Sequence, residues 1–325
     1  MDATSGTSST ALIPPEPAVA GVRATNLKAG PWWRSRTERK NMRLGLLFIS
    51  PWIVGFLGLT LYPLYRTFYL SFTRFGGFLD AEWIGWANFD RLLGDDLFFK
   101  SLYNTFYYTL LAVPIGVVVA MMLALAMDQS LPEIPLYRTI LYLPSILPLF
   151  ATAFIFMTLL DPQQGLVNDM LRAIGLNPPN WFGDARYAKI AIVGMAQFGA
   201  GQMALVFLAG LKGIDTSLYE AAEIDGAGVL NRFFKITLPL MTPVILYSLI
   251  LGISSGLQVF TQSFIITNGG PANSTNFLVF NLYRNAFNYS NQMGYASAMG
   301  VILFLITVAL AGLVFFTSNK WVNYD

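Results

Sequence analysis

The chain has 325 residues, of which 55% are hydrophobic and 12% charged, with a mean hydropathy of +0.54. A soluble domain is about one-quarter charged, so this composition argues against a soluble enzyme and for a chain that uses lipid as part of its solvent. The net charge of +2 points to no nucleic-acid partner, and the lack of Cys and His removes disulfides, thiol nucleophiles, Cys/His metal centres and histidine bases.

In chain order, residues 1–30 are rich in Ser, Thr, Ala and Pro, show no apolar period, and read as disordered and not as a signal peptide. A basic run follows, Arg34, Arg36, Arg39, Lys40 and Arg43, so residues 1–43 read as a cytoplasmic flank before the first helix. Six apolar stretches then recur: 44–65, 102–126, 139–160, 190–211, 244–266 and 295–317, none with Asp, Glu, Lys or Arg. Each is near the roughly 20 residues needed to cross the hydrocarbon layer. The expectation is an all-α integral membrane protein with six transmembrane helices over 44–318 and a short tail, 319–325. Pro51, Pro63, Pro114, Pro144 and Pro148 mark expected kinks or unwound turns, which membrane helices tolerate when neighbours satisfy the freed carbonyls.

Six spans put both termini on one side. With that side inside, 12 of the 20 Lys and Arg are inside, which favours cytoplasmic N- and C-termini. Three long segments, 66–101, 161–189 and 267–294, then lie outside. They exceed what connectivity needs and are expected to make contacts.

Residues 212–243 form a charged inside loop. Ser217 and Glu220 have the spacing of a capping box, predicting a short helix over 218–224. Asp225-Gly226 reads as a break, and a second helix is expected over 229–237, ending near Pro239. Leu218, Ala221 and Ala222 offer a small apolar surface beside Glu220, Glu223 and Asp225.

The segment EAAEIDGAGVLNRFFKITLPLMTP resembles the cytoplasmic loop of permease subunits in binding-protein-dependent ABC importers. Glu220, Ala221, Ala222, Gly226, Ile236, Leu238 and Pro239 carry the resemblance, and Asp225, Ala227 and Phe234 fit its carbohydrate-uptake version. PLYRTFYLSFT at 63–73, GWANFDRLL at 85–93, the stretch 141–168 with Gly165 and Asn168, ITNGGPANST at 266–275 and YSNQMGYASAMGVILFLI at 289–306 extend it over all but the first 30 residues. The resemblance implies the type I ABC importer permease (MetI-like) fold in the inner membrane of a prokaryote. It also implies a sister permease, an ATPase dimer that binds the ATP and Mg, and an external solute-binding protein. Glu220 would then meet a basic residue of the ATPase, Ala221 and Ala222 would allow close approach, and Gly226 would permit a turn where a larger side chain would clash. Gly165, Asn168, Asn268, Gly269 and Gly270 are the expected binding-protein contacts.

The chain has no phosphate-cradling Gly-x-x-x-x-Gly-Lys-Ser/Thr segment, and no cofactor of its own is expected. Polar residues inside the stretches are the candidates for a cargo path, because their burial in hydrocarbon is costly. They are Ser254, Gln258 and Gln262 at four-residue spacing, with Gln197, Asn104 and Tyr108. Helix–helix hydrogen bonding is the competing role for each. Neutral donors and aromatic faces suit a neutral sugar; glycerol phosphate or a polyol stays open. So do a sodium-coupled transporter and a non-transporting scaffold, although the stretches hold no side chain for proton coupling.

Overall fold

A computed structural model describes residues 36–78, 80–288 and 292–323. The expected disorder of 1–30 lies outside these residues. Apart from a two-residue strand pair, Thr73–Arg74 (β1) antiparallel to Glu82–Trp83 (β2), the described chain is helical.

By contacts the chain divides after Leu61. The first part holds α1, Arg36–Gly55, which runs into a π-turn at Phe56–Leu61. Its large apolar side chains are exposed, Leu47, Phe48, Trp52 and Leu59 among them, as expected of a helix with lipid for solvent. Pro51 lies inside α1 without breaking it.

The second part begins with α2, Tyr62–Ser71, and α3, Ala87–Leu93. Next comes α4, Asp96–Met127, the longest helix, continuous through Pro114. Asp95 caps it, accepting the Leu97 and Phe98 N–H groups at 2.9 and 3.2 Å. At its far end Asp128 pairs with Lys212 at 2.7 Å.

The third and fourth stretches are not single helices, and the fifth ends early. The third divides into α5, Ile134–Tyr142, a 3₁₀ turn at Leu143–Ile146, and α6, Leu149–Leu159, bent by 97°. The break falls at Pro148, which lacks an N–H and drives Leu147 to extended backbone (φ −65°, ψ 132°). Beyond α7, Leu166–Ala173, the fourth stretch divides into α8, Ala185–Gln197, and α9, Gly201–Lys212, bent by 49°. Gly201 is required there, since a Cβ would lie 2.7 Å from the Leu141 carbonyl oxygen.

Two short helices follow, α10 at Thr216–Ile224 and α11 at Val229–Arg232, with a π-turn at Phe233–Thr237 and α12 at Leu238–Leu240. The fifth stretch is α13, Thr242–Leu257, set at 63° to the helical run before it. It ends nine residues earlier than expected, where Gln258 and Val259 N–H groups turn back to Ser255 and Gly256 carbonyls. The chain closes with α14, Leu278–Tyr283, and α15, Met293–Ser318. Three helices are long and apolar enough to cross a membrane, Arg39–Ser71, Asp96–Met127 and Met293–Ser318; counting each bent pair as one span gives up to six among the described residues.

α4 is the central helix, packed by α8, α9, α13 and α14, while α15 packs on α2, α13 and α14. The contact of α13 with α4 is close because glycines make it. A Cβ at Gly252 would stand 2.8 Å from Val113 Cγ1, and one at Gly256 2.9 Å from Thr109 Cγ2. Gly252 and Gly256 are four residues apart, the small-residue spacing that brings membrane helices together. Val113 and Thr109 are stiff at χ1 and cannot swing aside. Gly252→Leu should therefore cost about 1–3 kcal/mol. The melting temperature of the chain in detergent should fall by several degrees, and an unchanged melt would show that the contact is slack.

Candidate functional site

The chain presents two candidate sites: the exposed segment between α9 and α13, and a cavity in the bundle.

The exposed segment is ordered by its own chemistry. Its cap is Asp215, two residues before the expected Ser217. The Asp215 carboxylate accepts the Ser217 N–H at 2.9 Å, and α10 begins two residues sooner than the Ser-x-x-Glu spacing indicates. The Ser217 N–H and hydroxyl hold the Asp215 carboxyl below the ordinary carboxylate range. At the other end, Gly226 N–H reaches Glu223 O at 3.0 Å and Ala227 N–H reaches Ala222 O at 2.8 Å. This paired C-terminal closure needs left-handed backbone, and Gly226 has φ +76°. A Cβ at Gly226 would meet nothing within 4 Å, so the expectation of a side-chain clash is corrected: the backbone angle, not space, requires glycine.

Across this turn Glu223 pairs with Arg232 at 3.0 Å, and Tyr219 Oη shares a hydrogen bond with Thr237 Oγ1 at 2.9 Å. The second helical run does not stop near 237 but continues to Leu240. Pro239 sits next to the last residue of that run, just before the 63° bend into α13. Ala222, Asp225, Gly226 and Ile236 line one concavity with Arg232 and Lys235. Glu220 is exposed and makes no hydrogen bond or ion pair among the described residues. Around it Leu218, Ile224, Val229, Leu230 and Phe234 stand exposed, an apolar surface larger than a solvated turn needs.

The cavity, about 400 Å³, lies between α4, α8, α9 and α13. Its wall is built from the broken helices. Leu149 follows the Pro148 break, Gly199 and Ala200 form the α8–α9 break, and Gln258–Gln262 follow the end of α13. Non-helical backbone at membrane depth is tolerated where it lines a cavity. Tyr108, Gln197, Gln258 and Gln262 all line it. Gln197 donates to the Val193 and Ala112 carbonyls at 2.9 and 3.3 Å. Gln262 is buried, and its Oε1 has no hydrogen-bond partner among the described residues.

The other polar residues lie elsewhere. Ser254 is not in the cavity wall, where Ser255 stands instead. The expected single face of Ser254, Gln258 and Gln262 is interrupted at Gln258, where α13 has ended; Gln258 Nε2 reaches Ser254 Oγ at 3.4 Å. Asn104 is 1% exposed and donates to the Asn273 and Asn276 carbonyls at 2.8 and 3.2 Å. Gly165 sits in a turn where a Cβ would meet the Asp161 backbone at 2.5 and 2.6 Å. Asn168 is buried, donating to Asp161 O and accepting from Trp181 Nε1. Asn268 and Gly269 have φ +48° and +83°, and a Cβ at Gly269 would lie 2.9 Å from Phe280 Cε1. Gly270 N–H is bonded to Thr267 O at 2.9 Å.

Residues 96–323 match the family described as binding-protein-dependent transport system inner membrane component. The chain belongs to that family. It is 37% identical over 296 residues to the probable ABC transporter permease protein YesP of Bacillus subtilis, covering 90% of this chain and 96% of that one. To the lactose transport system permease protein LacF of Rhizobium radiobacter it is 33% identical, covering 88% and 98%. Among solved structures, a chain of a bacterial alginate ABC transporter complexed with a pentasaccharide-bound periplasmic protein superposes with a TM-score of 0.76. The two are 23% identical, covering 88% and 98%, and share the fold. The chain is thus a permease subunit of an ABC-type importer, with the all-α, multi-pass fold of such permeases.

The cap gives a pH test. A depressed carboxyl pKa stabilises α10 fully above the ordinary Asp value of about 4, and the contribution is lost as pH falls through the lower folded value. Hydrogen-exchange protection of α10, corrected for intrinsic rate, should stay level from neutral pH to about 5 and drop below about 4. Asp215→Ala should speed α10 exchange roughly fivefold at neutral pH, while Asp215→Asn keeps the cap and removes the acid loss. Equal protection in all three proteins would remove Asp215 as the cap.

Proposed function

We propose that this chain is one of two different permease subunits in an ATP-driven importer that carries a sugar into a prokaryotic cell. The relatives' cargo supports a sugar, and the cavity wall of Tyr108, Gln197, Gln258 and Gln262 offers the amide and aromatic chemistry that sugars require. Six spans with cytoplasmic termini put the Thr216–Leu240 segment on the side where ATP is found. A partner ATPase dimer binds ATP and Mg there. On the opposite side the segments around Gly165–Asn168 and Asn268–Gly270 face the solute-binding protein. Since Asn168 is buried, it would act by holding its loop in shape.

The observation that carries this reading is Glu220: a carboxylate without a partner among the described residues, on a capped and exposed helix, in a segment that joins α9 to α13. Ala221 and Ala222 beside it leave room for a partner surface, and Ile236, Leu238 and Pro239 tie the segment to α13. A push on α10 would reach both α9 and α13, which form two walls of the cavity.

The experiment purifies Glu220→Ala and Gly226→Val with their partners and measures complex recovery, ATP hydrolysis and uptake together. Leaving a partner's basic group unpaired typically costs about 2–5 kcal/mol, so Glu220→Ala should lower ATPase retention roughly tenfold or more. Gly226→Val forces a β-branched residue to φ +76° and should separate hydrolysis from uptake while the chain still inserts. Parental retention and uptake in both variants would show that the segment does not couple.

A further inference from the structure

The apolar stretch beginning at residue 190 contains no charge, but α8 begins five residues earlier and carries Lys189 in its second turn. Lys189 is half-buried. Its Nζ donates to Asn104 Oδ1 at 3.2 Å and stands 5.0 and 4.5 Å from the ring centroids of Tyr103 and Tyr107. Among the described residues no carboxylate lies within 4.0 Å of it. A second cation, Lys100, one turn before Asn104 on α4, adds positive potential at Lys189. A partly desolvated ammonium with no counter-ion, beside a second positive charge, is a point of attraction for an anion.

Its position connects it to the cavity. Asn104, Tyr108 and Ala112 recur at four-residue spacing on one stripe of α4, and the last two line the cavity. Ala196, seven residues after Lys189 and so nearly in line with it on α8, lines the cavity too. Lys189 and Asn104 therefore stand at the end of these stripes away from the Asp128–Lys212 pair and the Thr216–Leu240 segment. Asn104, which Lys189 contacts, lies one helical turn from Tyr108 on that side.

We propose that Lys189, oriented by Asn104 and flanked by Tyr103 and Tyr107, selects a saccharide bearing an anionic group: a carboxylate, sulfonate or phosphate ester. The rings present faces to the sugar and the ammonium receives the charge. This rests on the sugar-importer reading and replaces the expectation of a neutral cargo. A lipid phosphate has the same chemistry, but Asn104 is buried and shares its stripe with the cavity wall, which favours the solute.

The test uses the complete importer in proteoliposomes. Uptake is measured for a disaccharide ending in glucuronate, for sulfonate- and phosphate-bearing sugars, and for the neutral sugar of each. The parental protein should favour one anionic sugar over its neutral counterpart. Lys189→Gln, which can still donate to Asn104, should lower that ratio about tenfold, as expected for loss of a charged hydrogen bond, and Lys189→Arg should retain most of it. Uptake of neutral sugars alone, or an equal fall for both sugars that Arg does not restore, overturns the assignment. An effect that follows the phosphatidylglycerol content and not the sugar's charge assigns Lys189 to lipid and overturns it as well. Failure to carry any saccharide, with ATP hydrolysis intact, would instead refute the sugar reading on which the proposal rests.

Discussion

The structure depends on one constraint: buried backbone groups outside helices need partners, and α4 supplies them. Its first turns carry Ser101, Asn104 and Thr105, all buried. Asn104 holds the Asn273 and Asn276 carbonyls, Thr105 Oγ1 accepts the Leu278 N–H at 2.8 Å, and Ser101 Oγ accepts from Asn281 Nδ2 at 3.3 Å. The non-helical run before α14 is thereby attached to the central helix. It is closed on its other side by Ser263 and Thr275, with Ser263 Oγ donating to Thr275 O at 2.6 Å. A buried backbone group left unpaired costs about 1–3 kcal/mol, so the polar residues of α4 shape the fold before they can serve any cargo.

The same constraint explains the cavity. Pro148, the Gly199–Gly201 turn and the end of α13 each interrupt a helix, and the three interruptions border one space. Against them the Gly252–Gly256 contact holds α13 tightly to α4. One wall is close-packed and the others are articulated. A transport protein needs that division, since a site must be held while its surroundings move.

Much of this was legible in the sequence, and the failures share a cause. Hydropathy located the apolar stretches because lipid imposes a long, uncharged run on any helix it surrounds. The Glu220–Pro239 segment was legible because Gly226 answers to a backbone angle, which leaves its mark on residue type. What hydropathy could not show was where a helix begins or bends. Lys189 lies outside its apolar stretch but inside α8, and Gln258 lies inside its stretch but beyond α13. The sequence alone does not distinguish a polar group awaiting a ligand from one, like Asn104, bonded to a carbonyl 169 residues away. The Gly252–Gly256 spacing is itself a small-residue signal carried by the sequence.

The central claim is that the space bordered by the broken helices is the transport path and answers to the ATPase. The chain has no native cysteine, so Ser255→Cys places a single thiol in the cavity wall. Its modification by a membrane-impermeant thiol reagent added outside can be timed in the assembled importer, with and without ATP and vanadate. The account predicts a change in rate of roughly tenfold or more when nucleotide is trapped, equivalent to about 1.4 kcal/mol in access. The same rate in both states would contradict it.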